Sequence, residues 1–199
     1  YDYGPQDVKK FRGYVKDQIV PVCERLFKEQ AESLGLSAVT FYDEQLKHPD
    51  GNAAPTGTKG EMLKSAKEMY HELSKETGEF FDFMLEHEMF DLDSKPGKQP
   101  GGYCSFLPGV KSPFIFANFN GTSADVDVLT HEMGHAFEAY TASRIYPLSS
   151  MTWASSETNE THSMSMEFLT YPWMEKFFGD KAGLYRKDHL IQALEAVPF

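Results

Sequence analysis

The sequence predicts a mainly α-helical fold with a small β-sheet or hairpin beside one chemically loaded helix. Three observations carry that expectation. Apolar residues recur at three- and four-residue steps from Val8 to Leu26, as in an amphipathic helix, and most of the later chain reads as further helices. Only the region between Tyr103 and Asn120 reads as strand, rich in aromatic and β-branched residues around a turn. His131-Glu-Met-Gly-His135 then falls inside the helical pattern that follows those strands.

In chain order, Val8, Phe11, Val15, Ile19, Val22 and Leu26 mark a helix from Pro5 to about Leu34. Pro21 is expected to kink or divide it, because proline removes a backbone N–H and its ring crowds the preceding turn. Residues 35–58 lose the period, and His48-Pro-Asp-Gly-Asn-Ala-Ala-Pro-Thr-Gly-Thr is turn chemistry. Helices over Glu61–Leu73 and Thr77–Phe90 follow, joined at Ser74-Lys-Glu. Phe80, Phe81, Phe83, Met84, Met89 and Phe90 give the second an apolar face that reads as core. The loop Ser94-Lys-Pro-Gly-Lys-Gln-Pro-Gly-Gly leads into strands Tyr103–Leu107 and Pro113–Asn120, parted by a turn at Pro108-Gly109. Thr122 or Ser123 is the expected N-cap of a helix from Ala124 to about Ser143, with Asp125 and Asp127 favourably placed in its first turns. A helix from about Ser155 to Phe178, kinked at Pro172, and one from Leu184 to Ala196 complete the chain. The change of texture at Asp91 suggests a helical subdomain over 1–91 and a metal-binding subdomain over 92–199.

Composition excludes several function classes. The 199 residues are 41% hydrophobic, enough for a core. Lys plus Arg number 19 against 30 Asp plus Glu, a net charge of −11 that would repel a phosphate backbone and argues against a nucleic-acid partner. No apolar run approaches the roughly 18 residues a membrane helix needs. Cys23 and Cys104 form neither a disulfide framework nor a zinc-finger spacing, so both read as reduced thiols of a cytoplasmic protein. The start, Tyr-Asp-Tyr-Gly-Pro, has no initiating Met and no apolar leader, which suggests a piece of a longer chain.

The chemistry concentrates at His131, Glu132 and His135. Residues four apart on a helix leave the same face a turn apart, so both imidazoles can bind one metal ion, and Glu132 can reach a water on it. A catalytic site needs a third protein ligand, and spacing leaves Glu157, Glu160 and His162 open, although His162 lies about 200° around the helix from Glu160. Gly134 is expected to keep the face beside the metal open. His48, His71, His87 and His189 have no ligand partner at helical spacing and read as surface or hydrogen-bonded residues.

His131-Glu-Met-Gly-His-Ala-Phe and Glu160-Thr-His-Ser-Met-Ser-Met-Glu-Phe resemble the oligoendopeptidase F branch of the thimet-oligopeptidase-like zinc metallopeptidases. Gly101-Gly-Tyr-Cys-Ser-Phe-Leu-Pro and Phe114-Ile-Phe-Ala-Asn-Phe-Asn-Gly-Thr carry the same resemblance. It implies a zincin-like metallopeptidase core that hydrolyses short unstructured peptides with one Zn2+ per chain. His131, His135 and Glu160 would be the ligands and Glu132 the general base. Glu167, seven residues after Glu160, matches a further carboxylate of the pattern. Glu167 and Asp127 are both candidates to hold His131 from behind, Asp127 reading equally as a helix N-terminal charge. By analogy, Phe114 to Asn118 would pair with an extended substrate. The family's downstream His and Tyr cluster, which donates to the oxyanion, and its large N-terminal helical portion have no counterpart here. Tyr171 and Tyr185 read as core. The alternative is an inactive fragment that binds zinc or peptides without turnover.

Overall fold

The computed structural model describes residues 2–198. It is mainly helical, with one three-stranded sheet beside the helix that carries His131 and His135. By its internal contacts the chain divides into two units, one of residues up to Ala53 with those from Gly183 onward, the other Ala54–Ala182. The expected boundary near residue 92 falls inside the second unit. Among the described residues, no helix is long and apolar enough to cross a membrane.

The first unit is a helical run and a returning helix. α1 (Pro5–Tyr14) passes through a wider turn over Val15–Ile19 into α2 (Val20–Leu34). In that turn the Val20 N–H reaches back to the Val15 carbonyl. Pro21 explains it: its ring would collide with a carbonyl of a regular α-turn, and one extra residue in the turn makes room. Pro21 thus divides the run, as expected, into two α-helices on either side of that turn. The apolar stripe is only half-buried, and Phe11 stands exposed. Gln30 is buried, donating to the carbonyls of Asp43, Glu44 and Leu46 and so pinning the turn-rich segment. α8 (Ala182–Glu195) returns, its Asp188 paired with His48 at 2.9 Å and its Glu195 with Lys47 at 2.8 Å.

The second unit opens with a helical hairpin, α3 (Lys59–Leu73) and α4 (Lys75–Glu86). Thr58 and Glu61 cap α3 reciprocally, and the Ser74 hydroxyl caps α4 by accepting the Thr77 N–H. Phe80, Phe81 and Met84 are buried as expected. Met89 and Phe90, expected in this helix, are not. The Glu88 N–H bonds the Leu85 carbonyl and the Met89 N–H the Met84 carbonyl, a stop that requires Glu88 at φ 54°. The same stop ends α2 with Gly35 at φ 69°.

Beyond it lies β1 (Phe90–Asp93), a strand the sequence reading missed. It pairs parallel with β3 (Ser112–Phe119), and β2 (Tyr103–Leu107) pairs antiparallel on β3's other side. β3 is thus central and β2 lies at an edge. The parallel register slips between Asp91 and Asp93, and Lys98 fills the gap. Its ammonium donates to the carbonyls of Asp91 at 3.0 Å, Asp93 at 2.8 Å and Ala117 at 2.6 Å. With only 7% of its side chain exposed, Lys98 also stands over the Phe116 ring.

α5 (Ala124–Ile145) packs against β3 and β2 on one side and α6 (Ser156–Leu169) on another. It has no single apolar stripe because it is covered on several sides, with Val126, Leu129, Met133, Ala136 and Ala139 all buried. Its start carries no side-chain cap from Ser123. Instead the Asp125 carboxylate collects the N–H groups of Asn120 and Gly121. Pro172 ends the next helix rather than kinking it: α6 stops at Leu169, and α7 (Glu175–Phe178) follows a short tight turn.

A non-glycine residue held in the left-handed region costs roughly 1–2 kcal/mol, partly offset in glycine by its looser unfolded chain. Glu88→Gly is therefore expected to stabilise the protein by about 0.5–1 kcal/mol, read as a raised urea midpoint with unchanged slope. A lowered midpoint would contradict this account of the α4 stop.

Candidate metal centre

Gly134 sets the geometry. A Cβ there would stand 2.5 Å from Ser163 Cα and 2.8 Å from the His162 carbonyl oxygen. The face expected to stay open beside a metal is instead where α5 and α6 cross backbone to backbone. On α6, Glu160, Ser163 and Glu167 follow at positions i, i+3 and i+7, one stripe of the helix, and that stripe meets the histidines.

Glu160 Oε2 lies 3.3 Å from His131 Nε2 and 3.6 Å from His135 Nε2. Two donors on a tetrahedral ion with 2.0–2.1 Å bonds stand about 3.4 Å apart, so these separations suit one small cation. Among the described residues, His131, His135 and Glu160 form a group whose ligand atoms all lie within 4.8 Å of one another. Of the three candidates for third donor, Glu160 is the one at the imidazoles. Glu157 is exposed, and His162 faces away, lining a neighbouring cavity. The Glu160 side chain is 54% exposed, leaving one side of the group open to solvent.

His131 is held from behind. Its Nδ1 lies 2.6 Å from Glu167 Oε1, and a carboxylate there takes the Nδ1–H and leaves the Nε2 lone pair toward Glu160 and His135. Glu167 thus fills the place for which Asp127 was the other candidate. Burial pulls the His131 pKa down, but the hydrogen bond and charge of Glu167, with Glu132 and Glu160, outweigh it and hold the imidazolium above its usual range. Burial carries His135 the opposite way, helped by the nearby His131 charge. Ser163 Oγ donates to Glu160 Oε2 at 3.0 Å, steadying the outermost donor.

Glu132 is buried beside the group. Burial raises its pKa, with His131 pulling the other way and Glu160 adding to the rise, while the Cys104 N–H of β2 hydrogen-bonds its carboxylate. A carboxylate so placed is a base poised nearer neutrality than a surface Glu. Burial and the Glu132 charge push the Cys104 thiol up, away from the reactive thiolate form. Ser163 and the Cys104 N–H escaped the sequence reading. Only the small residue one turn after Glu160 hinted at the first, and nothing local signals a backbone donor from a strand.

Adding a methyl group at the α5–α6 crossing forces two backbones apart. Gly134→Ala is expected to destabilise the protein by about 1–3 kcal/mol, measured by urea unfolding. Unaltered stability would mean the crossing is looser than described.

The family model for peptidase family M3 matches residues 1–196. Among solved structures, a protein assigned as an oligoendopeptidase F from Bacillus anthracis str. Ames is 46% identical with a TM-score of 0.95, covering 98% of this chain and 36% of that one. PZ peptidase A, solved with an inhibitor, is 47% identical with a TM-score of 0.94, covering 98% of this chain and 34% of its own. A protein assigned as a peptidase from Chlamydophila abortus shares the fold at 20% identity with a TM-score of 0.67. This chain spans about a third of the length of the structures it matches. No curated protein sequence matches it. With the family's match running through nearly every residue, the chain belongs to peptidase family M3.

Proposed function

We propose that this chain is the catalytic core of a zinc metalloendopeptidase that hydrolyses short unstructured peptides. The observation that carries the reading is the convergence of two imidazole Nε2 atoms and one carboxylate oxygen beside the buried acid Glu132. Two nitrogens and one oxygen are the donor set of catalytic rather than structural zinc sites, which are closed by four ligands and usually include Cys. His131, His135 and Glu160 would hold the ion. Zinc, when bound, supplies Lewis acidity to a water and to a peptide carbonyl.

The remaining steps belong to the protein. Glu132 takes a proton from the attacking water and later passes it to the leaving amine. Its raised pKa suits both halves of that task, because a weakly basic surface carboxylate would hold the proton too briefly. Glu167 fixes the ring of His131, and Ser163 steadies Glu160. The expected pairing of substrate with Phe114–Asn118 does not survive, because Ile115 and Phe116 are flanked by strands on both sides. The edge strand β2 supports the pairing instead, since its Cys104 N–H already reaches Glu132 and an extended peptide added there would run past the general base.

Glu132→Gln in the full-length protein is expected to retain zinc, by elemental analysis, while kcat falls about 10²–10⁴-fold. Unchanged cleavage would remove Glu132 from the mechanism. Glu167→Gln is expected to weaken zinc binding about 10–100-fold in competition with a chromophoric chelator. Wild-type affinity would make Glu167 a bystander.

A further inference from the structure

The C-terminal half of α5 and the segment from Tyr146 to Ala154 line an open cavity of about 570 Å3. Its walls include Phe137, Tyr146, Met151 and Trp153. One acid enters this apolar lining, Glu138, and its Oε2 is buried with no hydrogen-bond partner among the described residues. A carboxylate left short of partners beside an apolar lining gains from a cation brought to it. Burial pushes the Glu138 carboxyl up, against the nearby His162 and the Ala154 N–H. The cavity adjoins the metal centre: Glu138 follows His135 by one turn of α5, and the Trp153 ring stands edge-on to His135 with centroids 6.3 Å apart. His162, two residues beyond Glu160, also lines it.

We propose that this cavity is a substrate side-chain pocket for a residue carrying a cation on an apolar stem, arginine or lysine, and that Glu138 selects it. The inference rests on the peptidase reading and names a substrate class for it. The volume lies in the range of small-molecule sites. The stem of such a residue packs along aromatic and thioether walls, and its charged end meets the Glu138 carboxylate. An aliphatic side chain would fill the same walls but bring no partner to the carboxylate, and an acidic one would meet like charge in a chain of net charge −11. Nothing in the spacing of the metal motif signals this role, because the walls come from two separate segments.

Trp153 supplies the readout. Trp173→Phe leaves it as the sole tryptophan of these 199 residues, and the part of the signal lost with Trp153→Phe identifies it in a longer protein. Titration with Nα-acetyl-argininamide and Nα-acetyl-lysinamide is expected to change Trp153 fluorescence saturably, with at least tenfold tighter binding than Nα-acetyl-norleucinamide. Glu138→Gln, which keeps the side chain's shape, is expected to abolish that preference while norleucinamide binding stays as it was. Thr141→Lys, exposed and one turn beyond Glu138, supplies a competing internal cation and is expected to weaken argininamide at least tenfold. Equal binding of the three amides, absence of saturable binding, or a preference that survives both substitutions would overturn the proposal. Zinc content and peptide cleavage, measured on full-length protein with and without Glu138→Gln, separate the two readings. Cleavage without Arg or Lys preference sinks the pocket alone. Selective binding without zinc or cleavage keeps Glu138 as a cation selector and sinks the peptidase reading.

Discussion

Where α5 meets α6 there is no room for a side chain: a Cβ at Gly134 would overlap Ser163 Cα. Backbone contact at that point fixes the relative height of the two helices, and the reach of a glutamate side chain then suffices to bring Glu160 to both imidazoles. The same crossing sets Glu167 behind His131, seven residues further along the same stripe. A wider separation, of the kind two ordinary side chains would impose, would take both carboxylates out of hydrogen-bonding range together. One glycine between Glu132 and His135 therefore controls both the donor set and its support. The rest of the unit serves to hold α5 in place, with the sheet on one side and the aromatic face of α4 on another, Phe80 against Tyr140 and Phe137.

Electrostatics then make the site incomplete by itself. Glu132, Glu160 and Glu167 crowd two histidines in a protein that already carries excess negative charge. His131 answers by holding a proton above its usual range, and Glu132 by resisting ionisation. A divalent cation among the three donors would replace that proton and relieve the mutual repulsion of the acids, which is the physical sense in which the donor set favours a metal. The sheet contributes a fixed dipole as well, the Cys104 N–H, and β2 is steadied from below: Asn118 donates to the carbonyls of Gln99 and Gly101, and Tyr103 stacks on Phe116 under Lys98.

How much of this was legible in the sequence follows from how local each feature is. α5, β2 and β3 could be placed to within about two residues because their patterns and turn residues are contiguous. β1 could not, since four residues after a helix acquire strand character only by pairing with β3, and the helix stop that frees them uses Glu88 where a glycine would have announced it. The form of the break before Pro21 was likewise invisible, because proline signals a division of the helix without saying that a wider turn makes it. For the site, spacing on one helix supplied the two histidines and the acid between them. The third donor lies on another helix, so spacing left three residues open and only the family resemblance pointed to Glu160. Gly134 was misread for the same reason: its importance is a contact with α6, not a property of its own helix.

If the Gly134 crossing assembles His131, His135 and Glu160 into one zinc site, the purified chain, dialysed against metal-free buffer after zinc loading, holds close to one zinc. Glu160→Ala, treated alike, then holds little, with both folded by circular dichroism. A folded wild-type chain that retains no zinc, or a variant that retains as much as the wild type, would contradict that assembly.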